Sequence, residues 1–77
     1  MDKKTRIQKD ITMFEENTQK IQKLNNKQKK IIELARQYYS DTKYYHQKKD
    51  YFTAFGCINY AHGLQDAILK QKDEEEK

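Results

Sequence analysis

The sequence predicts an all-α protein, an antiparallel three-helix bundle. Its 77 residues contain no proline and only two glycines, so long helices meet few breakers. Apolar residues recur three or four positions apart, whereas the strict alternation typical of strands does not occur. This periodicity is interrupted at Asn25-Asn26 and at residues 47–50, which divides the chain into three helical segments. A chain of this length accommodates one domain, residues 1–77.

The first helix is predicted at about residues 5–24, with Thr5 as its N-cap. Its apolar stripe recurs at spacings of four, three, four and three: Ile7, Ile11, Phe14, Thr18 and Ile21. Asn25-Asn26 then predicts a turn, because asparagine tolerates the left-handed conformation that ends many helices. One alternative stays open, in which residues 5–47 form a single long helix, completed by a shorter helix and by dimerisation.

The second helix is predicted at about residues 28–47 and the third at about residues 51–70. The face of the second consists of Ile31, Leu34, Ala35, Tyr38, Thr42 and Tyr45, and that of the third of Ala54, Ile58, Ala61, Leu64 and Ile68. Asp50 is a suitable N-cap for the third helix. The tail, residues 71–77, has nothing to bury and is predicted to fray.

The composition restricts the location of the protein. The mean hydropathy is −1.28, and no apolar stretch approaches the length that crosses a bilayer, so no membrane contact is expected. The N-terminus lacks the apolar segment of a signal peptide. The single Cys57 cannot form an internal disulfide, which favours a reducing compartment and predicts a cytoplasmic protein.

A second face of the third helix is rich in small residues. Gly56, Tyr60, Gly63 and Ala67 follow one another at spacings of four, three and four, roughly opposite Ile58. Small side chains allow another helix to approach closely. Two interpretations stay open: the third helix packs between the other two, or this candidate interface binds a protein partner or a second copy in a homodimer.

A polar group is predicted at the seam between the second and third helices. Its members are Tyr38, Asp41, Tyr45, His62 and Asp66. His62 and Asp66 lie four positions apart and can pair on one helical surface. The group is either a small-molecule site at Asp41, His62 and Asp66 or a structural network in which carboxylates satisfy hydroxyls and imidazole nitrogens, and structural networks produce this pattern more often.

The sequence predicts no catalytic activity, metal site or cofactor. The side chains of the type that binds metals lack the paired spacing of known metal sites: Asp41, His46, His62 and Asp66. Cys57 lies beside the core face, where a cysteine is usually an inert small apolar residue. Gly56 and Gly63 are isolated within a helix, unlike the glycines of a phosphate-binding loop.

A basic run lies around the first predicted turn. It comprises Lys20, Lys23, Lys27, Lys29 and Lys30. Residues 1–37 carry ten bases and five acids, a charge of +5, whereas residues 38–77 carry −1. Weak, sequence-independent nucleic-acid binding is therefore an alternative function. It is the less favoured one, because lysines alone do not provide bidentate recognition of phosphate.

The tyrosine-rich hairpin resembles a known family. The residues that carry the likeness are Tyr38-Tyr39-Ser40-Asp41, Tyr44-Tyr45, Lys49-Asp50-Tyr51, Ala54, Tyr60-Ala61-His62-Gly63 and Asp66-Ala67. Over about residues 32–69 they resemble an archaeal family of small helical proteins, domain of unknown function 357. The family usually has glycine where Lys49 stands. The hairpin is also similar to a single tetratricopeptide unit, although such repeats normally need about three neighbours. The resemblance implies a helical bundle and no activity.

Together these features predict a non-enzymatic module for protein–protein interaction. We expect the hairpin, braced by the first helix, to present its aromatic and small residues to a partner helix.

Overall fold

The computed structural model describes residues 2–75. They form three helices and no strand: α1 (Lys3–Thr18), α2 (Asn26–Gln47) and α3 (Tyr51–Glu75). The predicted all-α, three-helix class is confirmed. Among the described residues, no helix is both long and apolar enough to cross a membrane.

Contacts between helix ends define the topology. His46, near the end of α2, places Nε2 3.1 Å from the carbonyl oxygen of Lys4 at the start of α1. Gln28, near the start of α2, donates to the side chain of Gln71 near the end of α3 at 3.2 Å. Helix α2 therefore runs antiparallel to both of its neighbours. The alternative of one helix over residues 5–47 is wrong, because the chain turns between α1 and α2.

Helix α1 begins and ends earlier than predicted. Its N-cap is Asp2 instead of Thr5, because the Asp2 carboxylate accepts the backbone N–H of Thr5 at 2.7 Å. The same hydrogen bond lowers the pKa of Asp2. The helix ends at Thr18 instead of near residue 24, since its last turn is held by side chains. The carbonyl of Phe14 accepts from the Thr18 hydroxyl at 2.9 Å and from the Gln65 amide at 3.0 Å.

The first turn lies between Thr18 and Asn26, and its left-handed residue is Lys23, with φ of 55°. The predicted left-handed asparagine is wrong because Asn25 has an extended backbone and caps α2 instead. Its side chain accepts the backbone N–H of Gln28 at 2.8 Å, and the Gln28 side chain accepts the N–H of Asn25 at 3.0 Å. This reciprocal arrangement is a capping box.

The second turn follows the prediction. Lys49, in the position where the similar family usually has glycine, adopts a left-handed conformation with φ of 65°. Asp50 caps α3, because its carboxylate accepts the N–H of Thr53 at 3.3 Å.

The core forms where the three helices meet. Its buried apolar residues are Ile7, Ile11, Phe14, Ile32, Ala35, Ala54, Ile58, Ala61 and Ile68. The stripe predicted for α2 is wrong at Leu34, which is 38% exposed, and Ile32 is buried instead. Three buried polar residues complete the interior: Gln28, Thr42 and Gln65.

Helix α3 continues to Glu75, so the predicted fraying from residue 71 is wrong up to that point. The end of the helix is held by remote contacts. The Gln28 amide also lies 3.3 Å from a carboxylate oxygen of Glu75, and the Lys72 ammonium donates to the carbonyl of Lys23. Residues 76 and 77 of the predicted tail lie outside the described residues.

Candidate functional site

The side of α3 that faces away from the core is here called the outer face. It consists of Phe52, Gly56, Tyr60, Gly63 and Ala67, and all five residues are exposed. Phe52 is 84% exposed and Tyr60 53%. The candidate interface predicted from the sequence is therefore on the surface, and Tyr60 is the member of it whose ring also contacts another helix, at Tyr38 of α2.

Phe52 was missing from the sequence prediction. It lies four positions before Gly56, so the same helical spacing could have identified it. Most of the Phe52 side chain contacts water. It is the largest fully apolar side chain of the outer face.

The outer face carries no charge. None of its five side chains is charged over a length of about 22 Å, although 36% of the residues in the chain are charged. Depletion of charge together with exposed aromatic rings distinguishes the centres of protein interfaces from ordinary surface.

The glycines leave free space on this surface. A Cβ built at Gly56 or at Gly63 would meet no atom within 4 Å. Packing within the chain therefore does not require glycine at either position, although glycine inside a helix costs about 0.5–1 kcal/mol relative to alanine. The small size of these residues favours close approach by a second molecule.

The apolar surface extends from α3 onto α2. The rings of Tyr38 and Tyr60 lie 4.5 Å apart between centroids, with an interplanar angle of 42°. Leu34, one turn before Tyr38, is 38% exposed. A helix seated on the outer face would therefore also meet apolar side chains of α2.

The predicted polar group does not come together as one site. His62 faces α1, where its Nε2 lies 2.9 Å from the carbonyl oxygen of Asp10 and its ring meets Phe14 edge-on. Tyr38 instead contacts Tyr60, which precedes His62 by two residues and so lies about 200° away around α3. The hydroxyl and the imidazole therefore belong to opposite sides of the helix.

Among the described residues, the remaining members of the group form no hydrogen bond with His62. Asp41 and Asp66 are exposed. Tyr45 is half-buried, with its ring 5.1 Å from that of Tyr44. His62 thus has a structural partner in α1, and the cavity that Asp41 lines contains no other member of the group.

The environment of Cys57 disfavours nucleophilic chemistry. Its side chain is half-buried. Burial raises the pKa of the thiol, and the negative charges of Asp41 and Asp50 raise it further. A thiol with a raised pKa forms little of the reactive thiolate. Within residues 2–75, no three His, Cys, Asp or Glu side chains lie close enough together to hold a metal ion.

The lysines of the basic run are all exposed near the first turn. The acidic end of α3 lies at the same end of the bundle. The Lys72 ammonium is 3.2 Å from a Glu75 carboxylate, and these two residues line a cavity of about 460 Å³ with Lys20 and Lys23. The negative charge of Glu75 opposes the approach of phosphate to this surface.

The chain was compared with models of protein families. The model described as "Protein of unknown function (DUF357)" matches residues 9–72, which include parts of all three helices. No curated protein matches the chain.

Proposed function

The chain belongs to the family of unknown function DUF357, and from its surface we propose that it acts as a non-enzymatic module that binds a helix of a protein partner through the outer face of α3. The observation that carries the proposal is the combination, on one exposed face, of two aromatic rings, two glycines and no charge. A reducing compartment, the cytoplasm, suits its single cysteine.

The sizes of the side chains favour a second copy as the partner. If two α3 helices pair in antiparallel fashion, Phe52 of each copy falls opposite Ala67 of the other. Gly56 then falls opposite Gly63, and the two Tyr60 rings meet near the symmetry axis. The large residue at one end fits the small residue at the other, as a self-complementary two-fold interface requires.

The available area is consistent with such a pair. A fully exposed aromatic side chain can bury roughly 150–250 Å², but Phe52 is 84% and Tyr60 53% exposed, so the four rings of two outer faces contribute less than the roughly 600–1,000 Å² that four such side chains would supply. Stable interfaces begin at about 1,200 Å² in total. Leu34 and Tyr38, exposed or half-exposed on the neighbouring side of α2, supply apolar surface toward that value.

Sedimentation equilibrium tests the proposal. We expect the wild type to self-associate at high micromolar concentration and Gly63→Glu to be monomeric, because the new carboxylate would be buried against the partner. Gln37→Glu adds the same charge to an exposed position on α2 and is the control. A wild type that stays strictly monomeric, unchanged by Gly63→Glu, contradicts self-association.

Two other functions predicted from the sequence have less support. Nucleic-acid binding at the basic run would require phosphates to approach the carboxylate of Glu75. Titration with single- and double-stranded oligonucleotides at low salt tests it, with charge reversal at Lys27, Lys29 and Lys30. Small-molecule binding at Asp41, His62 and Asp66 would require His62, which faces α1 and contacts the carbonyl of Asp10, to act together with Asp41 of α2.

A further inference from the structure

A groove runs along the seam between α1 and α2. These two helices contact each other less than either contacts α3. Three cavities lie along the seam, with volumes of about 380, 350 and 290 Å³. His46 lines the first and the second, and Glu15 lines the second and the third. Shared walls make them one continuous depression, here called the seam groove.

The floor of the seam groove is apolar and aromatic. Ile11 and Phe14, both buried, line it from α1. Tyr39 lies against Phe14 from α2, with ring centroids 4.9 Å apart and an interplanar angle of 16°. From Lys4 to Thr18 the groove follows α1 for about 21 Å, or four helical turns.

The rim of the seam groove is basic. Four cations line its cavities, Lys4 and Lys9 from α1 and Arg36 and Lys43 from α2, against the single carboxylate of Glu15. The rim is positively charged and the floor is long and apolar. A complementary ligand is therefore long, apolar on one side and acidic on its flanks.

The one acid of the groove is already engaged. The Tyr39 hydroxyl donates to the Glu15 carboxylate. Burial, the hydrogen bond to Glu15 and the negative charge of Glu15 together raise the pKa of Tyr39 to about 12, with burial the largest cause. Tyr39 therefore keeps its proton at neutral pH and holds the Glu15 carboxylate against the floor. One carboxylate cannot neutralise the four cations of the rim, so positive charge remains for a ligand.

We propose that the seam groove binds an acidic amphipathic helix of a protein partner. Such a helix would lay its apolar stripe on Ile11, Phe14 and Tyr39, and its Asp and Glu side chains would meet the cations of the rim, as in other helix-in-groove complexes. This site lies on α1 and α2, so it is independent of the outer face of α3.

The floor favours a helix over a nucleic acid. Proteins bind single strands by stacking bases on exposed aromatic faces. Here one face of Tyr39 is covered by Phe14, and the ammonium of Lys43 lies 5.3 Å from the centroid of the Tyr39 ring. The ring therefore has no free face on which a base could stack, whereas the part of Tyr39 that stays accessible can still contact the leucines of a helix.

Fluorescence anisotropy with defined probes tests the proposal. The probe is a lactam-bridged helical peptide of roughly 18 residues, long enough to follow the groove, with leucine on one face and glutamate on the flanks. A matched peptide carries lysine in place of every glutamate, and a thymidine oligonucleotide is the third probe. The protein variants are Arg36→Glu/Lys43→Glu in the groove and Lys20→Glu/Lys30→Glu outside it, with the same change of charge.

We expect the glutamate peptide to bind the wild type, and Arg36→Glu/Lys43→Glu to weaken binding by at least about tenfold. The control variant should weaken it by less than about threefold, through long-range charge alone. All four substituted residues are exposed, so both variants should keep wild-type circular dichroism. Four results would each overturn the proposal. The first three are no binding of the glutamate peptide at millimolar concentration, equally tight binding of the lysine peptide, and the same loss of affinity in both variants. The fourth is that the oligonucleotide binds more tightly than the peptide and loses that binding in Arg36→Glu/Lys43→Glu.

Discussion

Replacing both glycines of the outer face by alanine should make the monomer more stable and its association weaker. Gly56→Ala and Gly63→Ala each add a Cβ that meets no atom within 4 Å, so neither causes a clash inside the chain. Both residues lie within α3. Alanine there is favoured over glycine by about 0.8–1.0 kcal/mol, because glycine loses more backbone freedom on folding.

The two contributions should add. The positions are seven residues apart, or about 10 Å along the helix, which is far enough for independent effects. The double variant should therefore raise the free energy of unfolding by about 2 kcal/mol. In the dimer the added methyl groups would fall between the two α3 helices and hold them apart, so the dissociation constant should rise.

Urea denaturation at low micromolar concentration measures the first effect, because the chain is monomeric there and association does not contribute. Sedimentation equilibrium at high concentration measures the second. A double variant that is more stable and associates as well as the wild type would refute the role of the glycines. A variant that is less stable would refute the free space seen around them.

Three further predictions concern the interior. Gln65 donates two hydrogen bonds, one of them to the carbonyl of Phe14, while its buried Oε1 has no partner. The free energy of unfolding of Gln65→Leu should therefore stay within about 1 kcal/mol of the wild type, because the loss of two hydrogen bonds of about 1 kcal/mol each is offset by removal of an unpaired buried oxygen. Gln65→Ala should lower it by about 3 kcal/mol, because it leaves a cavity. Thermal denaturation measures both, and equal losses in the two variants would contradict the reasoning. Absorbance should show Tyr39 ionising near pH 12, above the ordinary value for tyrosine. Its contribution to stability, full below pH 10, should be lost as the pH rises toward 12, and Tyr39→Phe should abolish this step. Cys57 should react with iodoacetamide more slowly than free cysteine at pH 8, because its raised pKa leaves less thiolate; a rate equal to that of the urea-unfolded chain would contradict this.

Local patterns in the sequence predicted the elements that local interactions determine. The stripe of Ile7, Ile11 and Phe14 identified the buried face of α1, because helical periodicity depends only on spacing. Asp50 was predicted as a cap because its partner lies three residues away. In α2 the predicted face contained the buried Ala35 and Thr42, but it included the exposed Leu34 and chose Ile31 where its neighbour Ile32 is the buried residue, because spacing alone does not distinguish two adjacent apolar residues.

The boundaries that the sequence did not predict depend on remote partners. Helix α1 ends at Thr18 because Gln65, from a different helix, donates to its last turn. Helix α3 continues past residue 70 because Gln28, more than forty residues earlier, holds its end. Polar residues in a sequence give no sign of such pairings, since glutamine is mostly exposed.

The candidate site divides in the same way. The outer face was found from spacing alone, apart from Phe52. The seam groove was not found, because Lys4, Arg36 and Lys43 come together only when α1 and α2 pack side by side. The polar group was predicted as one seam for a related reason. His62 contacts α1, and the sequence does not reveal which side of α3 faces α1 and which faces α2.

The most direct test of the outer face is a nuclear Overhauser experiment on a mixture of isotope-labelled and unlabelled chains. Contacts between copies should join the Phe52 ring of one chain to the Ala67 methyl of the other, and the Tyr60 ring to the glycine protons of Gly56 and Gly63. Antiparallel pairing of α3 through its outer face predicts these contacts at high micromolar concentration. A concentrated sample with no contacts between copies, or with contacts only elsewhere on the bundle, would contradict it.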